Sequence, residues 1–158
     1  MRKILALFII SIYLISCKKK VSEIPMLSYE ELKPILHVQD DKIYVINFWA
    51  TWCAPCVKEL PYFEKLNETY KNVEVVLVSL DFPDKITTKL IPFVKKHELK
   101  SRVVVLNDTN EQFWIHNIDE KWSGAIPATL IYNKDNSTFY EQSFTYETLE
   151  NKIQPFIK

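Results

Sequence analysis

A chain of 158 residues, 47% apolar and 25% charged, has the length and the core-forming content of one globular domain. Its 20 basic residues balance 20 acidic ones, so charge gives no reason to expect a nucleic-acid partner. A single glycine, Gly124, cannot build a dinucleotide fingerprint or a Walker loop, and three cysteines cannot build a dense disulfide scaffold.

The chain starts with Met1-Arg2-Lys3 and continues into the apolar run ILALFIISIYLIS, Ile4 to Ser16. A basic start and a short apolar run have the layout of a secretory signal, and the run is short of the ~20 residues that span a membrane. It ends in Leu14-Ile15-Ser16-Cys17, which resembles the bacterial lipobox. In that motif the cysteine is acylated and becomes the new N-terminus, so 1–16 is expected to be removed and Cys17 to carry the lipid. Two or more acyl chains anchor stably, whereas one binds only marginally. The polar stretch after Cys17 reads as a tether, giving boundaries of 1–16 for the signal, 17–26 for the lipidated tether and 27–158 for the folded domain.

Along that domain, Ser28-Tyr29-Glu30-Glu31 is a capping box before a short helix that Pro34 limits. Ile43 to Trp49 and Val73 to Leu80 are near-continuous apolar runs, as strands buried on both faces should be. Between them, Val57, Leu60, Phe63, Leu66 and Tyr70 recur at helical spacing over Cys53 to Lys71. Asp84 to Leu99 is helical in pattern with Pro92 inside it. Arg102 to Leu106 reads as a strand and Glu111 to Ile118 as a helix. Ala128 to Tyr132 and Thr138 to Phe144 read as strands joined by a turn, and Tyr146 to Ile157 as a final helix. Strands separated by helices imply parallel crossovers, and the turn-linked last pair is antiparallel. The expected fold is α/β, a mixed central sheet flanked by helices on both faces.

The chemistry sits in Asn47-Phe48-Trp49-Ala50-Thr51-Trp52-Cys53-Ala54-Pro55-Cys56. A strand delivers two cysteines to the first turn of a helix, where free amides and the positive dipole end favour thiolate over thiol. A thiol of ordinary pKa ~8.5 falls toward ~7 in redox motifs of this kind. Pro55 sits early in the helix, where its missing N–H costs little. Cys53 is the expected attacking sulfur, and Cys56, one turn in, the shielded resolving thiol. An inert structural pair or half a zinc site is the bland alternative. Zinc wants four ligands, and only the scattered His37, His97 and His116 remain to supply them. Haem attachment fails because Val57, not His, follows Cys56. Peroxidase chemistry fails because residue 50 is Ala where a threonine would be needed.

A WCxPC sequence after a strand in a βαβ context resembles the thioredoxin superfamily. Pro61 matches the proline inside the active-site helix of that family, and Gly124-Ala125-Ile126-Pro127-Ala128-Thr129-Leu130-Ile131 resembles its cis-proline segment. The resemblance implies that Pro127 faces the two sulfurs and that Ile126 offers backbone hydrogen bonds to a bound peptide, with Trp52, Ala54 and Pro55 shaping the same surface. An additional strand–helix unit between the active-site helix and the cis-proline strand, and the CxxCxxE sequence ending at Glu59, are similar to membrane-anchored TlpA/ResA-like thiol–disulfide oxidoreductases.

Thioredoxins carry a buried aspartate where this chain has Asn47 and an apolar residue where it has Glu59. Glu59 is therefore the expected proton handler. The resemblance implies a protein-disulfide reductase, of cytochrome c maturation type or general, outside the cytoplasm. A thiol oxidase and a non-catalytic peptide-binding module are the alternatives. It further implies client protein thiols or disulfides and a membrane-embedded electron donor as partners, and a monomer held in the cell envelope through Cys17. No cofactor, metal or nucleic acid is implied.

Overall fold

The computed structural model describes residues 24–157. The lipobox and Cys17 lie outside the described residues. Six strands form one sheet in the order β1-β4-β3-β2-β5-β6. They are β1 Met26–Leu27, β2 Ile43–Trp49, β3 Val73–Ser79, β4 Arg102–Leu106, β5 Ala128–Tyr132 and β6 Ser137–Tyr140. β2, β3, β4 and β1 run parallel, while β5 pairs antiparallel with both β2 and β6. The mixed sheet read from the sequence is therefore the one observed, with β2 at its centre.

Alternation along β2 divides the core. Ile43, Val45 and Trp49 point to one face, which packs on Leu60, Phe63 and Leu66 of α2 (Ala54–Thr69) and on Leu149 and Ile153 of α5 (Tyr146–Ile153). Tyr44, Ile46 and Phe48 point to the other, which packs on Leu32 of α1 (Tyr29–Leu32) and Trp114 of α4 (Glu111–Ile118). Position 47 has the parity of Val45, so a buried asparagine is delivered to the face covered by α2. The additional strand–helix unit is present: α3 (Ile91–Lys96) leads into β4, which joins β3 in parallel.

Four local differences have physical causes. Met26–Leu27 is a short edge strand on β4, too brief for any periodicity; Pro25 carbonyl accepts from the Val105 amide at 2.8 Å. The helix expected over 84–99 is a 3-10 turn (Pro83–Lys85), a π turn (Ile86–Leu90) and α3, because Pro92 has no N–H for the carbonyl four residues back. Strand β6 stops at Tyr140 instead of running to Phe144, whose amide donates to a carboxylate of α2 and not to a neighbouring strand. Helix α5 tightens into a 3-10 turn at Gln154–Phe156, where Pro155 cannot continue it.

Candidate active site

Cys53 is the N-cap of α2, extended at φ −91° and ψ 99°, directly after the turn that leaves β2. Its Sγ lies 3.4 Å from the Cys56 amide, and the first turn of the helix carries no acidic side chain to compete for its free N–H groups. Cys53 and Cys56 are joined as a disulfide, with Cα atoms 5.3 Å apart. Cys53 keeps 6% of its surface exposed and Cys56 none, so access from solvent is by way of Cys53. Ala54 and Pro55 are exposed on the first turn, and Pro55 falls where a helix tolerates it. Pro61 lies inside α2 and removes the amide that would have served the carbonyl one turn back.

Across from the sulfurs, the Ile126–Pro127 bond is cis. The Ile126 carbonyl oxygen stands 3.7 Å from Cys53 Sγ. In the disulfide that sulfur has no proton, so this is a contact; a reduced Cys53 thiol could donate across it. Ile126 is half-buried and Pro127 buried. Gly124, just before, has φ +91°, a backbone conformation that suits the chain's one glycine.

Three residues past Cys56 on α2, Glu59 is 1% exposed. Asn47 Nδ2 donates to Glu59 Oε1 at 3.1 Å and to Thr129 Oγ1 at 3.2 Å, and the Phe144 amide donates to Glu59 Oε2 at 2.7 Å. Burial pushes the Glu59 carboxyl up to about 7, against the two hydrogen bonds, which pull it down. Asn47 Oδ1 is buried with no hydrogen-bond partner.

A second buried acid was not singled out from the sequence. Asp81, 2% exposed, accepts from the Thr51 amide at 3.0 Å, from Thr51 Oγ1 at 2.5 Å and from Ser79 Oγ at 2.8 Å. It ties the turn before Cys53 to the end of β3. The available signal was its place just past the carboxyl end of a parallel strand neighbouring the cysteine strand, where sites in such sheets gather. Trp52 is 58% exposed, whereas Trp49, Trp114 and Trp122 are buried. The three histidines are exposed, and among the described residues no group of three or more His, Cys, Asp or Glu could hold a metal ion.

The family model described as AhpC/TSA family matches residues 30–138. The thiol–disulfide oxidoreductase ResA of Bacillus thuringiensis subsp. konkukian is 42% identical over 113 residues, covering 72% of this chain and 60% of that protein. A ResA of Bacillus cereus is 32% identical over 111 residues, covering 69% and 60%. The matches thus span about three fifths of the length of these curated relatives. Among solved structures, a thioredoxin-related protein from Neisseria meningitidis serogroup B superimposes with a TM-score of 0.61 at 22% identity, over 72% of this chain and 84% of that one. StoA from Bacillus subtilis gives 0.54 at 22% identity, over 72% and 83%. These two share the fold.

Proposed function

The chain belongs to the AhpC/TSA family, and from that membership and its oxidised Cys53–Cys56 pair we propose that it is a thiol–disulfide oxidoreductase acting on protein clients. The observation that carries the reading is the disulfide itself, seated at the N-terminus of α2 against the Ile126 carbonyl. It needs no cofactor, because the two sulfurs hold both electrons of the exchange.

In the reducing direction, the Cys53 thiolate attacks one sulfur of a client disulfide. A Cys53–client bond forms and the other client sulfur leaves as thiolate. Cys56 then gives up its proton and attacks Cys53 Sγ, which closes the Cys53–Cys56 bond and expels the second client thiolate. Two electrons have passed to the client, whose two sulfurs end as thiols once protonated. The helix terminus stabilises the Cys53 thiolate. Glu59, one turn beyond Cys56 on the same helix and poised near neutrality, takes the Cys56 proton. Trp52, Ala54, Pro55 and the Ile126–Pro127 edge receive the client backbone by strand addition. Asn47 and Pro61 support the site without touching client.

The reducing direction, of cytochrome c maturation type or general, fits the TlpA/ResA-like sequence features. The lipobox supports a protein anchored through Cys17 and facing the outer side of a membrane, fed by a membrane-embedded donor. The test is the reduction potential of the pair. A value near about −270 mV assigns a reductase and one near about −120 mV an oxidase. A pair that never equilibrates with a glutathione or dithiothreitol buffer defeats both.

A further inference from the structure

The Thr51–Asp81 clamp has a counterpart on the surface. Each clamped residue is followed directly by an exposed aromatic: Trp52 after Thr51, Phe82 after Asp81. The two rings stack at 6.4 Å between centroids and 21° between planes, with 58% and 61% of their surface exposed. Two adjacent exposed rings beside the reacting sulfur mark a contact surface. Phe82 is also held in place. It is extended at φ −61° and ψ 143°, followed by Pro83, and its carbonyl accepts from the Lys85 amide at 2.8 Å. The Leu80 amide donates to the Trp49 carbonyl at 2.7 Å, which joins the two strand ends just below the clamp.

We infer that Trp52 and Phe82, registered by the part-buried Thr51–Asp81 hydrogen bonds, form an aromatic ledge that selects clients carrying an aromatic side chain beside the reacting cysteine. The inference rests on the exchange activity proposed above. Trp52 is covalently next to Cys53, so a client segment bonded to that sulfur must pass over the ledge. The Ile126 carbonyl, 3.7 Å from Cys53 Sγ, borders the same sulfur and offers the client backbone an acceptor there. A ring on the residue beside the client cysteine then extends the stack at little entropic cost, because the ledge is already ordered. Phe82 sets specificity in this arrangement, and Thr51 and Asp81 are positioning residues.

The test uses the reduced protein and symmetric disulfides of two acetylated pentapeptide amides, Gly-Phe-Cys-Phe-Gly and Gly-Gly-Cys-Gly-Gly. Each turnover oxidises Cys53 and Cys56 and yields two peptide thiols, counted after acid quench. The aromatic peptide should react roughly 3- to 10-fold faster, the range expected of one added aromatic contact. Phe82→Ala should bring that ratio close to one, and Phe82→Trp should retain it. Thr51→Val should lower the ratio in the parent protein and leave it unchanged in the Phe82→Ala background, while Thr51→Ser should keep it. A full ratio in Phe82→Ala overturns this inference alone. No exchange with either peptide sinks the activity and the inference together. If the protein instead dimerises in sedimentation and Phe82→Ala makes it monomeric, the ledge belongs to a second copy and the inference fails.

Discussion

Asn47 Nδ2 lies 3.1 Å from Glu59 Oε1 in a space closed to solvent, so a neutral amide faces a buried carboxyl of the cysteine helix. The hydrogen bonds from Asn47 and Phe144 favour the ionised carboxyl, but desolvation outweighs them and the group titrates near about 7. An acid whose folded pKa is raised binds its proton more tightly folded than unfolded. Its contribution to stability is complete below the unfolded value of 4.5 and is lost as pH climbs from there through about 7. That gap corresponds to about 3 kcal/mol. Denaturation of the oxidised protein at pH 4.5, 6 and 8 should therefore show the difference between wild type and Glu59→Gln shift by about that amount in favour of the variant as pH rises. A pH-independent difference contradicts a buried neutral-range carboxyl.

Asn47→Asp would place a second carboxylate where Nδ2 now donates. Two buried acids about 3 Å apart cannot both ionise cheaply, so the pair should hold one proton well above pH 7. The variant should lose stability with rising pH more steeply than wild type, over a window displaced upward. Equal slopes would mean that the two side chains do not share the site.

Cys53 caps α2 and Cys56 is fully buried, so the proposed attack by Cys53 and resolution by Cys56 can be tested by trapping. Cys56→Ser should accumulate client proteins disulfide-linked to Cys53, visible as adducts that dissolve on reduction. Cys53→Ser should accumulate few, since its remaining thiol lies out of reach. Similar adduct yields from both variants would reverse the assignment.

Much of this arrangement was legible because the informative residues break their local pattern. Asn47 interrupts an apolar strand, and strand parity sends it to the α2 face. Glu59 interrupts the apolar stripe of α2 and meets it there. Asp81 broke no pattern: just beyond an apolar strand it reads as an ordinary loop acid, and only the register of β2 with β3 brings Thr51 to it. Phe82 was illegible for the same reason, since exposure of an aromatic is a tertiary property. The end of β6 depends on where the Phe144 amide finds its partner, and the π turn before α3 on the amide that Pro92 lacks; periodicity carries no such information.

Cys17 follows a short apolar run and a small residue, so it should be acylated and hold the protein on a membrane. Growth with a palmitate analogue should label the wild type, and Cys17→Ala should abolish the label and release the protein from the membrane fraction. Continued labelling of Cys17→Ala would remove the lipid from the account.

The reduced protein offers the most direct reading of Glu59 as a proton handler. With the disulfide opened, Cys53 gains a thiolate at the head of α2 while Glu59 lies buried three residues past Cys56 on the same helix. Each ionisation then disfavours the other through a medium with little water to screen it. Alkylation of Cys53 reads the thiolate fraction, so its rate against pH should need two apparent pKa values that belong to the coupled pair. Glu59→Gln deletes one charge and should leave a single, lower value, because the thiolate no longer forms beside a carboxylate. On the proposed role of Glu59, the same substitution removes the acceptor for the Cys56 proton. Closure of a preformed Cys53–peptide disulfide by Cys56 should slow by roughly 10-fold or more, the low end for a lost general base. Glutamine can still accept the Phe144 amide bond, so a fold defect would appear as lost stability in the oxidised protein and not as a merged titration. If the alkylation curve and the closure rate are both those of wild type, Glu59 is a structural buried acid and the proton leaves Cys56 by another route.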